Sequence, residues 1–258
     1  MAAARRGQLG GFSTLYLLIG APRLIPDILK IVAGAVRAAI LDNNSLISLL
    51  DSERARRAVP DAATGVGWYD ERPFLESLRP YLGADVTALE LGCGGGRISR
   101  HVAPEVRELV ATDASRAMVA EARENLAALP NVRVAATDGF TLEEFGDGQF
   151  DLVFGQGIVG YLDPNPALAL LDEVSRVLKP RGVCVFNFLT IDHRADASVL
   201  LDSVRRQARA RRFHGATDRA YSLAQIGAMY ELAGLRVIEP ESDSVAEPGG
   251  RVVVVGRA

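Results

Sequence analysis

Cysteine, histidine, lysine and long apolar runs are all scarce in this 258-residue sequence. The two cysteines, Cys93 and Cys184, fall in separate core-like segments. They make no disulfide framework and suit a reducing compartment. The three histidines, His101, His193 and His214, form no group with metal-ligand spacing, so no metal is expected. Among 29 Lys and Arg residues only Lys30 and Lys179 are lysine, which reads as coding bias toward arginine. The longest uncharged run, 7–22, has four glycines and a proline and falls short of the ~18–20 apolar residues of a spanning helix. A basic start followed by apolar residues has the outline of a secretory signal, but no small-x-small cleavage site follows, so none is expected. A net charge of −3 argues against a polyanion-binding molecule as a whole, although residues 1–60 carry +4 and residues 61–258 carry −7.

What is present is enough for one α/β domain of about 200 residues with an N-terminal extension. The domain is organised around Glu90-Leu91-Gly92-Cys93-Gly94-Gly95-Gly96-Arg97. An apolar run, 86–91, precedes it as a buried strand, and 98–102 follows as the start of a helix. A strand, a glycine turn and a helix bring backbone N–H groups up to a ligand. The dinucleotide fingerprint would put a third glycine at position 97, where Arg97 stands, and no Gly-Lys-Ser/Thr of a P-loop follows. Asp113 ends the next apolar run, 21 residues after Gly92, and Asp138 ends the run after that. Glu90, Asp113 and Asp138 thus stand at the carboxyl ends of three successive strands, the edge where open parallel sheets bind ligands. Strands are expected near 86–91, 108–112, 132–136, 150–155 and 182–190. Helices are expected near 95–103, 116–129 and 166–178. The last helix runs from a Ser222 cap to Gly234, before apolar runs at 235–238 and 251–255.

On Glu90 to Gly96, Asp113, Asp138, Phe150-Asp151-Leu152-Val153-Phe154 and Leu178-Lys179-Pro180-Arg181-Gly182, the chain resembles the class I S-adenosylmethionine-dependent methyltransferases over roughly 68–258. The resemblance implies a Rossmann-like, doubly wound, seven-stranded sheet, mostly parallel, with an antiparallel last strand inserted beside the fifth. It implies S-adenosylmethionine as cofactor and S-adenosylhomocysteine as product. Asp113 would accept from the two ribose hydroxyls and Asp138-Gly139 would meet the adenine. Glu90 would orient the turn and meet the methionine amino group. Gly92, Cys93, Gly94, Gly96, Ala114 and Met118 complete the cofactor contacts, with Gln156, after the fourth strand, against the methionine part. Tyr69 is a further candidate. Relatives often carry a histidine pair shortly after position 156; here the residues are Val159-Gly160-Tyr161-Leu162. His193, with Asp192 beside it just past the fifth strand, is the only candidate base, and methyl transfer from an activated sulfonium does not require one.

The resemblance leaves the acceptor open. The Asn/Asp-Pro-Pro-aromatic motif of nucleic-acid amino-methyltransferases is missing, and neither cysteine suits an adduct mechanism. A small-molecule acceptor methylated at oxygen, nitrogen or carbon is the expectation, and nucleic acid is not expected. The arginines of 205–212 read as a solvated helix face rather than a phosphate site. In 23–41 a narrow polar stripe (Arg23, Asp27, Lys30, Gly34, Arg37) runs along an otherwise apolar helix. Such a helix covers something: the domain itself, a membrane interface or a second subunit. Residues 1–60 are therefore read as a helical extension (lid, membrane-interface element or dimer arm). Residues 61–258 form the methyltransferase domain, with a lid insert at about 191–221. A lipid or prenyl-type acceptor at a membrane surface, and a protein that binds the cofactor without catalysis, are the alternatives. A cytoplasmic location, with peripheral membrane contact through 23–41 and a homodimer both left open, completes the reading.

Overall fold

In a computed structural model the chain folds into a seven-stranded sheet covered by helices on both faces. The structure describes residues 71–209, 219, 221–239 and 251–257. The expected extension over 1–60, its helix at 23–41, the linker after it and Tyr69 lie outside the described residues.

Helix α1 (Arg72–Leu78) leads into β1 (Gly83–Leu91), the glycine turn and the short α2 (Ser99–Val102). Then come β2 (Val106–Asp113), α3 (Arg116–Asn125), β3 (Val132–Ala136), β4 (Phe150–Gly155), α4 (Pro164–Val177) and β5 (Leu178–Phe188). Helices α5 (Arg194–Arg209) and α6 (Leu223–Leu232) precede β6 (Leu235–Glu239) and β7 (Arg251–Arg257). The strand order is β3-β2-β1-β4-β5-β7-β6. Strands β1 to β5 pair in parallel, and β7 runs antiparallel between β5 and β6. The order reverses beside β1, which pairs with β2 on one side and β4 on the other. That reversal opens a crevice at the carboxyl edge of β1 and β4.

Parallel strands covered on both faces must be apolar on both faces. Leu89, Val153 and Phe186 pack with Leu170, Leu171, Val174, Ile226 and Tyr230 of α4 and α6 on one side. Ala88, Leu152, Phe154 and Val185 point the other way, against Phe74, Leu78 and Val102 of α1 and α2. Local signals fix the helix ends. Ser115 accepts from the Met118 N–H to cap α3. Ser222 and Gln225 form a reciprocal capping box on α6, and Gly234 ends it at φ 72°.

Several boundaries differ from the sequence expectation. β5 begins at Leu178, not at 182, because Leu178 pairs with Phe150 before the register shifts and Val183 meets Leu152. The extra residues bulge out, with Arg181 at φ 68°, so Pro180 and Gly182 sit inside a strand they would ordinarily break. Helix α3 stops at Asn125, short of the expected 129, where Leu126 leaves helical geometry. The helix of the insert spans Arg194–Arg209, and residues 210–212 lie outside the described residues.

Candidate functional site

The glycine turn folds back on the end of β2: Cys93 N–H donates to the Thr112 carbonyl at 2.8 Å, and Thr112 Oγ1 donates to the Glu90 carbonyl at 2.8 Å. Gly92, Gly94 and Gly96 have φ of 66°, 53° and 88°, a region that glycine enters without cost. Their surroundings differ. A Cβ on Gly92 would stand 2.0 Å from Ile158 Cδ1, and one on Gly96 would stand 2.9 Å from Leu126 Cγ. One on Gly94 would meet nothing within 4 Å. The outer glycines therefore let the turn pack, while the middle one presents bare backbone to open space.

Asp113, the last residue of β2, is buried. Its Oδ2 accepts from Gly94 N–H at 2.9 Å and its Oδ1 from Ser115 N–H at 2.8 Å. The Asp113 carbonyl accepts from Thr137 N–H at 3.1 Å, so one residue ties together the turn, the α3 start and the β3 end. Glu90 is 2 % exposed, and its Oε2 accepts from the buried Ser99 hydroxyl at 2.5 Å. Burial pushes its carboxyl up to about 7, against the opposing effects of the Ser99 bond and the Arg97 charge.

Asp138 is exposed after β3 and organises its own loop. Its Oδ1 accepts from the Phe140 and Thr141 N–H groups at 2.8 and 2.7 Å, and its Oδ2 from Thr141 Oγ1 at 2.9 Å. Partial burial opposes ionisation, but these donors outweigh it and hold its carboxyl below the usual range. Gly139, at φ 83°, lies against Ala114: an added Cβ would come within 3.3 Å of the Ala114 Cβ. Met118 is 1 % exposed and belongs to the packed interior rather than to an open surface. Cys93 is 5 % exposed, and burial raises its thiol pKa far above the ordinary value, so it is no nucleophile.

Beyond β4, Gln156 Oε1 accepts from Arg97 Nη2 at 2.5 Å. Arg97 Nη1 meets Glu71 Oε2 at 2.9 Å. Neither Arg97 nor Glu71 was among the expected site residues. Arg97 was read as a missing glycine, though a guanidinium directly after the turn was itself a signal. Gly157 N–H donates to Asn187 Oδ1 at 2.6 Å, which fixes the β4 loop to β5.

At the end of β5, His193 is half-buried and its Nδ1 stands 3.7 Å from Asp196 Oδ1. Asp196, 2 % exposed, also accepts from Thr190 N–H at 3.2 Å. The expected neighbour Asp192 turns away instead, with Oδ2 accepting from Leu223 N–H at 2.5 Å at the start of α6. His193 stands just ahead of α5, its carbonyl accepting from Ala197 N–H at 2.8 Å, so the first turn of the helix brings Asp196 toward its ring. Around this edge Tyr221 OH donates to the Leu162 carbonyl at 2.7 Å and Arg219 N–H to the Gly160 carbonyl at 2.6 Å. Arg219 Nε lies 2.8 Å from Asp163 Oδ1, an ion pair whose angle does not make a hydrogen bond. Arg205 and Arg209 of α5 are exposed, as a solvated face requires. No described helix is long and apolar enough to cross a membrane. Among the described residues no group of His, Cys, Asp and Glu could hold a metal ion.

A switch-point crevice with bare backbone at Gly94 and carboxylates on β1 and β2 lies at the carboxyl edge, where Rossmann-like sheets bind their ligands. Residues 88–182, from within β1 into β5, match the family described as "Methyltransferase domain". An uncharacterized methyltransferase of Synechocystis is 33 % identical over 37 % of this chain and 43 % of its own length. A malonyl-[acyl-carrier protein] O-methyltransferase of Enterobacter lignolyticus is 36 % identical over 40 % of this chain and 39 % of its own length. The chain thus spans less than half the length of these curated relatives. A SAM-dependent methyltransferase structure from Aquifex aeolicus superposes with TM-score 0.54 at 19 % identity, over 84 % of this chain and 99 % of that one, a likeness of fold.

Proposed function

We propose that the chain transfers a methyl group from S-adenosylmethionine to an oxygen, nitrogen or carbon of a small-molecule acceptor. The observation that carries the cofactor half is the buried pair Glu90 and Asp113 flanking the open backbone of Gly94. The bound cofactor supplies a methyl carbon made electrophilic by its sulfonium. Asp113 accepts from the ribose hydroxyls, the loop at Asp138 and Gly139 borders the adenine, and Glu90 faces the methionine ammonium. The acceptor enters beside β4 and β5, bordered by 156–162 and by the segment at 190–196. His193, whose Nδ1 stands 3.7 Å from Asp196 Oδ1, takes the proton of a hydroxyl or amine acceptor as the new bond forms. The O-methyltransferase among the relatives supports an oxygen acceptor.

The experiment incubates the full chain with S-adenosylmethionine and fractionated cell extract, and follows S-adenosylhomocysteine by mass spectrometry. Turnover with a small-molecule fraction is expected, with a rate that falls in His193→Asn. Turnover confined to vesicle fractions moves the acceptor to the membrane surface. Cofactor binding without turnover in any fraction makes the protein a cofactor binder.

A further inference from the structure

Helix α5 differs in charge from the rest of its domain. Residues 194–212 hold six arginines and two aspartates, net +4, in a domain whose net charge is −7. One side of α5 faces the domain: Asp196 and Leu200 are buried, and Asp196 accepts from Thr190 N–H. A second side is apolar. Ala197, Leu201, Val204 and Ala208 recur at spacings of four, three and four, which puts them on one face. Leu201 and Val204 are each 48 % exposed, and Ala208 is exposed as well. A third side is basic. Arg194, Arg205 and Arg209, at spacings of eleven and four, share the flank of that stripe and are exposed. Asp202 lies on the same flank, its Oδ1 accepting from Arg205 Nη1 at 3.4 Å.

A single exposed leucine or valine is ordinary on a protein surface. What calls for an occupant is an apolar stripe running beside an arginine stripe along one helix. A nucleic-acid backbone would engage the arginines and leave the apolar stripe in water. A bilayer surface engages both. Its phosphates and its acyl chains lie in adjacent layers, parallel to a helix that rests in the interface. Arginine stems cover apolar surface there while their guanidinium groups reach back to the phosphates. Ile191, also 48 % exposed, stands three residues ahead of α5 and adds a further apolar side chain at that end of the segment.

We propose that α5 docks on an anionic lipid bilayer, with Leu201 and Val204 in the acyl boundary and Arg194, Arg205 and Arg209 at the headgroup phosphates. The contact needs no cofactor, so it stands or falls apart from the function proposed above. His193 stands just ahead of the same helix, so docking brings the acceptor end of the sheet to the lipid surface.

The test is flotation of the full chain, without cofactor, on vesicles of phosphatidylcholine alone and of phosphatidylcholine mixed with phosphatidylglycerol. Binding to the anionic vesicles is expected at low salt, weakening as salt rises, with little on phosphatidylcholine alone. Arg205→Gln combined with Arg209→Gln is expected to weaken it about twentyfold, the product of two basic residues near an anionic surface. Leu201→Gln combined with Val204→Gln is expected to weaken it about tenfold. All four positions are exposed, and thermal melting at the wild-type temperature is expected for both double variants. Anionic-vesicle binding that both double variants retain at wild-type strength overturns the proposal, as does no vesicle binding by the wild type. A loss confined to the arginine pair, with an equal loss of binding to duplex DNA, makes the face a general polyanion site and overturns it. So does a dimer in sedimentation that the Leu201 and Val204 pair dissociates while vesicles bind no form of the chain, which gives the stripe to a second copy.

Discussion

The two halves of the sheet edge hold their loops in different ways. Along β1, β2 and β3 the loops are held by carboxylates that bind backbone N–H groups close by. Asp113 reaches Gly94 and Ser115, and Asp138 reaches Phe140 and Thr141. Along β4 and β5 the loops are held by partners distant in sequence. Asn187 holds Gly157, Tyr221 holds Leu162 and Asp192 holds the start of α6. The first half is a short cassette drawn from about 50 residues, the end to which the proposed function assigns the nucleoside. The second half exists only once the chain from 155 to 223 has been gathered. Substitutions in the first half should move cofactor affinity, and those in the second beyond Gln156 should move the acceptor end alone.

The largest effect is expected at Gly96. An alanine there needs a φ near 88° and puts its Cβ 2.9 Å from Leu126 Cγ. Gly96→Ala should cost about 2–4 kcal/mol of stability and bring cofactor binding below detection, read by thermal melting and calorimetry. An intact affinity would show that the turn is not the cofactor's seat. Asp113→Ala comes next, with cofactor affinity falling roughly ten- to a hundredfold, the size of a lost charged hydrogen bond. Unchanged affinity by calorimetry would remove Asp113 from the ribose site.

Glu90 gives a pH signature that the acceptor half has no counterpart for. Its carboxyl has an ordinary pKa of 4.5 and is pushed to about 7 by burial in the folded chain. Between those values the folded state holds a proton that the unfolded state has lost, so stability falls as pH rises from about 4.5 to about 7 and levels off above. The change from this group is on the order of 3 kcal/mol. Melting of the cofactor-free protein from pH 5 to 8 should show that slope, and Glu90→Gln should flatten it. The smallest effect is expected for Tyr221→Phe, which deletes the bond to the Leu162 carbonyl. About 1 kcal/mol of stability should go, with cofactor affinity untouched. A loss of cofactor affinity here would break the division between the halves.

The same division explains what could be read in advance. Glu90, Asp113 and Asp138 were legible because each ends an apolar run whose period marks a buried strand. Strand β3 was placed on 132–136 and β4 on 150–155, and the structure agrees. Ser99 and Asp196 gave no warning: each matters through one partner, Glu90 or His193, whose approach depends on the fold. Asp192 misled because its carboxylate is taken up by Leu223 N–H at the start of α6, a contact that exists only in the fold. The early start of β5 was hidden by Pro180 and Gly182, which are breakers unless a bulge absorbs them.

The placement of β7 has a consequence for how the chain reaches this state. It is the last strand in sequence but lies inside the sheet, hydrogen-bonded to β5 on one side and β6 on the other. Until it docks, β5 from Val183 to Phe188 presents an open apolar edge, and β6 has no partner at all. The cofactor cassette needs neither, so it can assemble first, with closure of the sheet as the late, long-range step. An intermediate that waits for β7 carries an edge able to pair with a second chain, which makes concentration during refolding, rather than final stability, the hazard for this protein.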